Sequence, residues 1–496
     1  MNMKRCKEAF RRRLNQSEAP FLEAVVAYAD GGIIPFHTPG HKQGRGAEPL
    51  LLDAVGAAAL RLDVSDVLLS PAYDDSWTAA LAAAERLAAH ALGADYCRFL
   101  VNGTSGGVHA MVMAAAAGRK IIVARHSHRS VIGALILADA WPVYVDPVYD
   151  REVGLWLPPP VSAWERAMEE HPDAAAVLVT YPTYEGAAAD LAGIARAAKA
   201  RGIAVLVDEA HGPHFGLHPN LPLPAIKLGA DLSAQSPHKL LGSLTQSSWL
   251  LGREGTVAQD AVEMALGILQ TTSPSALLLG SLDAARRQMA LQGRQMMDKA
   301  LAVVERVRAA VAEIPGLAFD CFDDPTKMLI AVDGAGWNGY AAAARLRRLG
   351  VQGEMGTARH VLALATFGDT DETVAKLCRA LAQLPQEAPP PDPPAAPWDE
   401  ADMDPAAALR GATEPVLRPR EAALAPTEPV PLEEAIGRVA AYVVCPYPPG
   451  VPVLCPGEQV SAEAVAYLQA ILHRGGEVRG LVGSPDAPAV RVVGAR

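Results

Sequence analysis

Aromatic side chains and positive charge are both scarce in this chain of 496 residues. Phe, Tyr and Trp make up 5% of it against 50% hydrophobic residues in total, so we expect a large core of aliphatic helices packed on a sheet. The formal net charge of -11 argues against a nucleic-acid-binding surface, which needs a basic stripe. No hydrophobic run approaches the roughly 18 residues that cross a membrane. We therefore expect a globular protein of about two to four domains, with neither nucleic acid nor membrane as a partner.

Cysteine is also rare, and the spacing of the cysteines predicts neither a zinc site nor a disulfide framework. The six cysteines are scattered without CxxC pairs, so we predict neither a zinc site nor disulfides, and we expect a reducing, cytoplasmic location. The basic N-terminus has no apolar stretch behind its charges and is expected to be an arm, not a signal peptide. The cysteines are Cys6, Cys97, Cys321, Cys378, Cys445 and Cys455.

Short apolar runs alternate with Ala-rich helical stretches between about residues 76 and 255. This alternation predicts βαβ units and a mostly parallel sheet covered on both faces, the α/β class. Ligands of such sheets bind outside the carboxyl ends of the strands. The runs that we predict as strands are KIIVARH, WPVYVDP, AAAVLVTYP and IAVLVDEAHG.

The chain divides into five predicted parts. An N-terminal arm (1–75) precedes a large domain (76–310) that ends in long helices, and a small α+β domain (311–384) follows with KMLIAVDG and HVLALATFG as strands. A Pro-rich acidic stretch (385–427) is predicted to be a linker. The C-terminal α+β domain (428–496) is predicted to hold a helix over PLEEAIGRVAAYVV, a Pro-rich turn and a second helix over SAEAVAYLQAILHR.

Two polar clusters follow the first predicted strands. Asn102-Gly-Thr-Ser-Gly-Gly107 lies between an apolar run and a helical one, and a Gly-rich turn that opens a helix suits a phosphate. Thr104 and Ser105 add hydroxyl donors there, although an ordinary helix cap is an alternative. In the next cluster, ARHSHRS, His128 is a candidate to stack on a flat heterocycle, and an ordinary surface loop is the alternative.

The third cluster, VDEAHG, follows the run IAVLV. Asp208 comes directly after the strand and is suited to pair with a protonated pyridine nitrogen, which keeps that ring an electron sink. Glu209 alternates to the other face and is expected to be structural, while His211 can hydrogen-bond a cofactor or act as acid and base. A metal site is the alternative, but it lacks a second ligand cluster, so no metal is expected.

The fourth cluster ends in a lysine. Lys239 follows Ser236, Pro237 and His238 near an apolar strand, a setting that suits a Schiff-base lysine, because burial and a nearby cation lower the pKa of its amine. Ser236 and His238 can add phosphate contacts. The alternative is a solvent-exposed lysine, which is the common state of this residue.

The order of these four clusters matches the fold-type-I enzymes that use pyridoxal 5'-phosphate (PLP). More narrowly, the chain resembles the Orn/Lys/Arg decarboxylase family from about residue 30 to 480, in the short bacterial form without an N-terminal wing domain. The stretches that carry the resemblance are PFHTPGHKQG, LVNGTSGGVHAM, VTYPTYEG, VDEAHGPHFG, SPHKLLGSLTQSS, QTTSPS and PYPPGVPVLCPGE.

The resemblance implies a role for each cluster. Lys239 would carry PLP as a Schiff base, Asp208 would pair with the pyridine nitrogen and His128 would stack on the ring. His211 would lie beside the ring, near its phenolic oxygen or the substrate. The residues that would hold or neighbour the phosphate are Thr104, Ser105, Ser236 and His238.

The resemblance also implies contacts between subunits and with the substrate. Thr272, in the QTTSPS segment, would reach a neighbouring subunit's cofactor, so a homodimer or higher homo-oligomer with interfacial sites is expected. Glu458 would face the distal cation of the substrate, with a solvent-facing loop position as its alternative. His41, in the arm, would lie at the rim of the site. The stretch LDVSDVLLSPAYDDSW departs from the family's usual run, which leaves the partner contact there open.

We therefore expect PLP-dependent decarboxylation of a basic amino acid. Arginine, giving agmatine and carbon dioxide for polyamine biosynthesis, is the expected substrate by analogy with the short family form. Lysine and ornithine are alternatives, as are an aminotransferase or another fold-type-I PLP enzyme, and a PLP-fold regulatory subunit without turnover.

Overall fold

The structure is a computed structural model, and it describes residues 14–65, 76–389, 408–409, 415–447, 450–484 and 487–494. Most of the predicted linker and of the stretch LDVSDVLLSPAYDDSW lies outside these ranges. Among the described residues, no helix is both long and apolar enough to cross a bilayer.

Within the described ranges there are eighteen strands, numbered in chain order. They are β1 (Tyr96–Leu100), β2 (Lys120–Ala124), β3 (Trp141–Val145), β4 (Val148–Asp150), β5 (Leu155–Leu157), β6 (Ala176–Thr180), β7 (Ala204–Glu209), β8 (Leu232–Gln235), β9 (Ser248–Gly252), β10 (Ala318–Asp320), β11 (Lys327–Ala331), β12 (Met355–Gly356), β13 (His360–Leu364), β14 (Thr427–Pro431), β15 (Cys445–Pro446), β16 (Val478–Arg479), β17 (Val482–Ser484) and β18 (Ala487–Val493).

The α-helices are numbered in the same way. They are α1 (Pro20–Asp30), α2 (Pro49–Val55), α3 (Ala57–Leu62), α4 (Ser76–Leu92), α5 (Gly103–Ala116), α6 (Arg129–Ala138), α7 (Val161–Glu170), α8 (Leu191–Lys199), α9 (Ala225–Leu228), α10 (Pro237–Leu240), α11 (Gln259–Leu269), α12 (Ala276–Ala312), α13 (Gly339–Arg348), α14 (Asp371–Leu381), α15 (Pro419–Leu424) and α16 (Ala462–His473).

The central sheet has seven strands in the order β1-β9-β8-β7-β6-β2-β3. All of its strand pairs are parallel except those that β9 makes with β1 and β8. The four runs predicted as strands are β2, β3, β6 and β7, and the predicted mostly parallel α/β sheet is confirmed.

Alternate residues of the inner strands face two separate cores. On β7, Val205 and Val207 belong to one core, while Leu206 packs into the other. The first core is closed by α1, α4, α7, α8 and α12, and the second by α5, α6 and α11. Because both faces are covered by helices, the open end of the sheet is where a ligand can approach.

A smaller sheet, in the order β10-β11-β13-β12, packs on the far end of α12. Val304, Val307 and Val311 of that 37-residue helix contribute to its core. The predicted strands KMLIAVDG and HVLALATFG are β11 and β13. One helix therefore connects the two sheets, which fixes β11 relative to the central sheet.

The C-terminal segment (415–494) contains a three-stranded sheet, β14-β18-β17, and the predicted second helix, which is α16. The predicted helix over PLEEAIGRVAAYVV is wrong. Only a 3-10 turn, Leu432–Ala435, forms there, because Gly437 adopts a φ of +81° and the backbone beyond it pairs with other strands. Val439 bridges to Gln459 instead of continuing a helix.

Candidate active site

The N-terminus of α5 forms an anion-binding corner at the end of β1. Gly103 opens the helix with a φ of +63°, a conformation that favours glycine. The Thr104 hydroxyl lies 2.5 Å from the Ser236 hydroxyl and 2.8 Å from that of Ser248. Ser105 lines the same cavity. Hydroxyls from two strand ends thus meet the positive end of a helix, where a phosphate is stabilised.

A glycine brings this helix close to the sheet. A Cβ atom at Gly107 would lie 2.9 Å from the Cβ of Ala234 on β8 and 3.0 Å from a methyl carbon of Leu100 on β1. Any side chain there would push α5 outwards. The second glycine of the Gly-Gly pair therefore holds the anion corner against the strand ends.

His128 caps α6 with its imidazole. Its Nδ1 accepts a hydrogen bond from the Ser130 backbone N–H at 3.2 Å and lies 2.9 Å from the Ser130 hydroxyl. Burial, together with Lys239 and Arg129, lowers the pKa of His128 to about 4. Gly450 approaches the ring, since a Cβ atom there would be 3.3 Å from the imidazole Cδ2. A neutral ring held in this way suits stacking on a heterocycle.

Asp208 is a buried carboxylate at the end of β7. Its Oδ1 accepts a hydrogen bond from the Ala210 N–H at 3.2 Å, and its side chain faces the cavity. Burial raises the pKa of Asp208, while the charge of Lys239 lowers it. Glu209 lies on the other face, where its carboxylate accepts hydrogen bonds from other buried polar side chains. Asp208 is therefore the carboxylate that a protonated ring nitrogen can reach, and such a cation would offset the cost of its burial.

Lys239 and His211 lie together in the cavity. The Lys239 Nζ lies 2.7 Å from Nε2 of His211, and burial lowers the pKa of this lysine. Nδ1 of the same imidazole lies 2.6 Å from the Nζ of Lys327, which is 0% exposed. The ring of Tyr184 lies against His211 with the two ring centroids 4.4 Å apart. A lysine with a lowered pKa is suited to condense with an aldehyde.

The polar atoms around Lys239 fit PLP. Both ring nitrogens of His126 and the Thr180 hydroxyl are buried at the cavity wall without a partner among the described residues. Thr180 on β6 pairs with Asp208 on the adjacent strand β7. Buried polar groups are normally hydrogen-bonded, so these atoms are available to a polar ligand or to water in the cavity.

The cavity above Lys239 has a volume of about 710 Å³ and extends to the small sheet and the C-terminal segment. Its lining also includes several tyrosines and arginines and two carboxylates, Glu185 and Glu354. Glu354 accepts a hydrogen bond from the Tyr184 hydroxyl. The other aromatic and basic residues of the lining include Tyr149, Arg151, Trp156, Tyr340, Arg359, Tyr447, Tyr467 and Arg474.

Most of the predicted cofactor residues line this one cavity. His238 is among them, and its Nδ1–H donates to the Ser247 carbonyl at 2.6 Å, which leaves Nε2 for a ligand. Thr272 is exposed outside the cavity, and His41 hydrogen-bonds Asp63 at 3.1 Å instead of lining it. Their predicted roles stay predictions.

The structure corrects the expectation for Glu458. Its side chain is 1% exposed, and its Oε2 lies 2.9 Å from the Arg125 guanidinium. The same oxygen accepts a hydrogen bond from the Cys455 N–H at 3.0 Å. Glu458 is therefore engaged by a cation of the protein and does not line the cavity, because the Pro-rich turn folds it inwards against the loop after β2.

Several site residues were missed by sequence reasoning. Lys327 stands at the start of an apolar strand in another sheet, and nothing local separates it from an ordinary strand-end lysine. Tyr184 and Glu354 reach the cavity from loops of different domains. His126 was visible in ARHSHRS, where its proximity to His128 was the one local signal.

Comparisons with known proteins agree with this geometry. Residues 19–344 match the major domain of the Orn/Lys/Arg decarboxylase family, and residues 404–481 match its C-terminal domain. An arginine decarboxylase of Bacillus subtilis (strain 168) is 37% identical over 482 residues, which cover 94% of this chain and 96% of the relative.

Solved structures show the same fold. The Francisella novicida lysine decarboxylase LdcF superposes with a TM-score of 0.79 at 20% identity, covering 96% of this chain and 81% of that chain. A structure of SPT with PLP superposes with a TM-score of 0.50 at 16% identity, covering 61% of this chain and 75% of that chain. The predicted fold-type-I architecture is confirmed. With the lysine, the carboxylate and the anion corner at one end of the sheet, these matches show that the chain belongs to the PLP-dependent Orn/Lys/Arg decarboxylase family.

Proposed function

We propose that this protein decarboxylates arginine to agmatine and carbon dioxide, with Lys239 as the lysine that binds PLP. One observation carries the proposal: the Lys239 amine lies 2.7 Å from His211 at the floor of a cavity that Asp208 also lines. The 37% identity to an arginine decarboxylase along nearly the whole chain supports arginine as the substrate.

The protein's own groups would hold the cofactor at three points. The N-terminus of α5 with Thr104 and Ser236 would bind the phosphate, Asp208 would pair with the ring nitrogen, and His128 would lie on one face of the ring. When bound, PLP supplies the electron sink for the electrons released as the carboxylate leaves.

Proton movement would centre on His211 and Lys239. The Lys239 amine, when it is not attached to the cofactor, lies within hydrogen-bond reach of Nε2 of His211. A proton shared between these atoms would be delivered to the substrate Cα, where it takes the place of the departing carboxylate. The buried surroundings exclude water from this step and favour loss of a charged carboxylate.

Glu354 would supply a site for a guanidinium. Glu354 presents a carboxylate oriented by the Tyr184 hydroxyl, and the same tyrosine ring lies against His211. A planar guanidinium is recognised well by a fixed carboxylate. Glu354 is therefore proposed as the residue that binds the distal end of arginine.

Product analysis tests the proposal. Purified protein loaded with PLP is incubated separately with arginine, lysine and ornithine, and carbon dioxide and the amine product are quantified by mass spectrometry. Agmatine should form fastest. A higher kcat/KM for lysine or ornithine would overturn the arginine assignment, and bound cofactor without carbon dioxide release from any of the three would favour a regulatory subunit.

We also infer that the active unit is at least a homodimer. Thr272 is exposed next to α12 and outside its own cavity, as expected of a residue that completes the site of a neighbouring subunit. The test mixes two inactive variants, Lys239→Ala and Thr272→Asp, after unfolding and joint refolding. Regained activity supports shared sites, whereas a monomer in sedimentation analysis with full activity would contradict them.

The reducing, cytoplasmic location is likewise our inference. The five cysteines within the described ranges are all free, and three of them are buried. The role in polyamine supply follows from agmatine as the product. Growth of a deletion strain that recovers on added agmatine would support it.

A further inference from the structure

Lys327 is a fully buried lysine for which the proposed function has no role. It begins β11 in the small sheet, yet its Nζ lies 2.6 Å from Nδ1 of His211. On the other side of the same imidazole, the Lys239 Nζ lies 2.7 Å from Nε2. One histidine ring thus separates two lysines, Lys239 of the short helix α10 and Lys327 of the small sheet.

The hydrogen-bonding capacity of the ring limits the charges of its neighbours. A neutral imidazole has one N–H donor and one acceptor nitrogen, whereas an ammonium group only donates. His211 can therefore accept from one charged lysine, and the other must be a neutral amine that accepts from the ring N–H. Burial, with both lysines adding to it, holds the pKa of His211 well below its usual range, so the ring is neutral.

The chemical role of Lys239 decides which lysine is charged. Lys239 has to be neutral to attack a carbonyl carbon, and burial lowers its pKa. Lys327 is then the ammonium group, and Asp324 is the carboxylate that acts most strongly on it, followed by Glu354 and Glu185. Burial lowers the pKa of Lys327 to about 8, which still leaves it mostly protonated at neutral pH.

The position of Lys327 is fixed by packing. A Cβ atom at Gly186, whose φ is +101°, would lie 2.9 Å from the Cγ of Lys327. Asp324 is held in turn, because its Oδ1 accepts hydrogen bonds from the Thr326 hydroxyl at 2.6 Å and lies 3.1 Å from Nε2 of His214. The stem of Lys327 is therefore tightly packed, and its Nζ lies beside His211 in a fully buried setting.

From this geometry we propose that Lys327 is a positioning residue that sets the tautomer of His211, keeping its proton on Nε2, the nitrogen that faces Lys239. The ammonium of Lys327 donates to Nδ1, and Nε2–H then points at the lysine amine and the reacting centre. This proposal rests on the proposed function, in which His211 and Lys239 share a proton.

The first test measures the tautomer in the wild-type holoenzyme. Histidine labelled with ¹⁵N is incorporated, and the His211 signals are identified by their loss in His211→Gln. We expect a protonated Nε2 and an unprotonated Nδ1. The reverse pattern, or a doubly protonated ring at neutral pH, would overturn the proposal, and the measurement needs neither a Lys327 variant nor turnover.

The second test is a double-mutant cycle. Lys327→Met removes the donor at nearly constant volume, and we expect kcat to fall about 10- to 100-fold while KM for arginine changes less than about threefold. In the His211→Gln background the same change should lower kcat less than about twofold, because Lys327 acts through His211. An equal loss in both backgrounds would overturn the proposal.

A control and a spectrum separate this role from a structural one. Met328→Leu alters the next residue of β11, buried in the small core, and should leave kcat unchanged. Without substrate, the midpoint of the pH titration of the cofactor's visible absorbance should move in Lys327→Met and not in Met328→Leu. An unmoved midpoint with unchanged kcat would refute the role of Lys327. A moved midpoint in a protein that decarboxylates no basic amino acid would refute the proposed function alone.

Discussion

The guanidinium of Arg125 and the carboxylate of Glu458 meet at 2.9 Å with side chains 2% and 1% exposed. Arg125 follows β2 of the central sheet and also donates to the Pro452 and Val453 carbonyls, so the pair joins the sheet to the C-terminal segment.

Removing one member of this pair should be costly. Glu458→Ala leaves a buried guanidinium uncompensated, and we expect the free energy of unfolding to fall by about 3–5 kcal/mol. Denaturant titration measures it. Arg125→Met with Glu458→Leu should lose less than the sum of the single changes. Glu428→Ala, which breaks an exposed pair with Arg438, should cost under about 1 kcal/mol, and an equal cost for both pairs would contradict this account.

Replacing Lys239 should abolish cofactor attachment. In Lys239→Ala the visible absorbance of lysine-bound cofactor should disappear, and kcat should fall on the order of 10⁴-fold or more. The matched control is Lys42→Ala, because Lys42 donates to the His37 carbonyl in the arm and has no strand before it. Retained absorbance in Lys239→Ala would refute the assignment of the lysine.

Glu354 should govern affinity for the distal cation. Glu354→Gln removes the charge without changing the shape, and losing a charge-assisted hydrogen bond of about 1.5–3 kcal/mol should raise KM for arginine about 10- to 100-fold. Steady-state kinetics measure this change. The control is Glu254→Gln, in an exposed loop after β9, at the end of the sheet opposite to Asp208. A KM equal to that of the wild type would exclude Glu354 as the guanidinium site.

Acid should destabilise the cofactor-free protein through His126. Burial lowers the pKa of this histidine to about 4, against 6.5 as its ordinary value. Between these two values the unfolded chain binds the proton and the folded chain does not, so stability falls as pH decreases from about 6.5 to 4. Over this range the free energy of unfolding should fall by about 3 kcal/mol through this histidine. Thermal melts should fall less steeply over this range in His126→Gln, and parallel curves would contradict the assignment.

Local pattern was sufficient to predict the strands and to bring Asp208 and Lys239 to one cavity, while their cofactor roles stay predictions. Asp208 ends an apolar strand and Lys239 comes shortly after the neighbouring parallel strand, and a parallel sheet brings such strand ends together. The alternation of side chains along a strand distinguished Asp208 from Glu209, because neighbouring residues of a strand face opposite sides of the sheet.

Contacts between distant parts of the chain were beyond local pattern. Lys327 lies 116 positions from the histidine that it touches, and its strand belongs to another sheet. Glu458 was predicted to face a substrate cation, but a cation of the protein, Arg125, is its partner. The segment after Leu432 has helical composition, but it forms no long helix because Gly437 adopts a positive φ and the following backbone pairs with β18.

The close approach of Gly450 to His128 has a consequence for biosynthesis. The ribosome makes the anion corner, Asp208 and Lys239 well before Gly450, the residue whose backbone approaches the imidazole. The part of the cavity wall around His128 is therefore completed only after residue 450 has been synthesised and has packed against it.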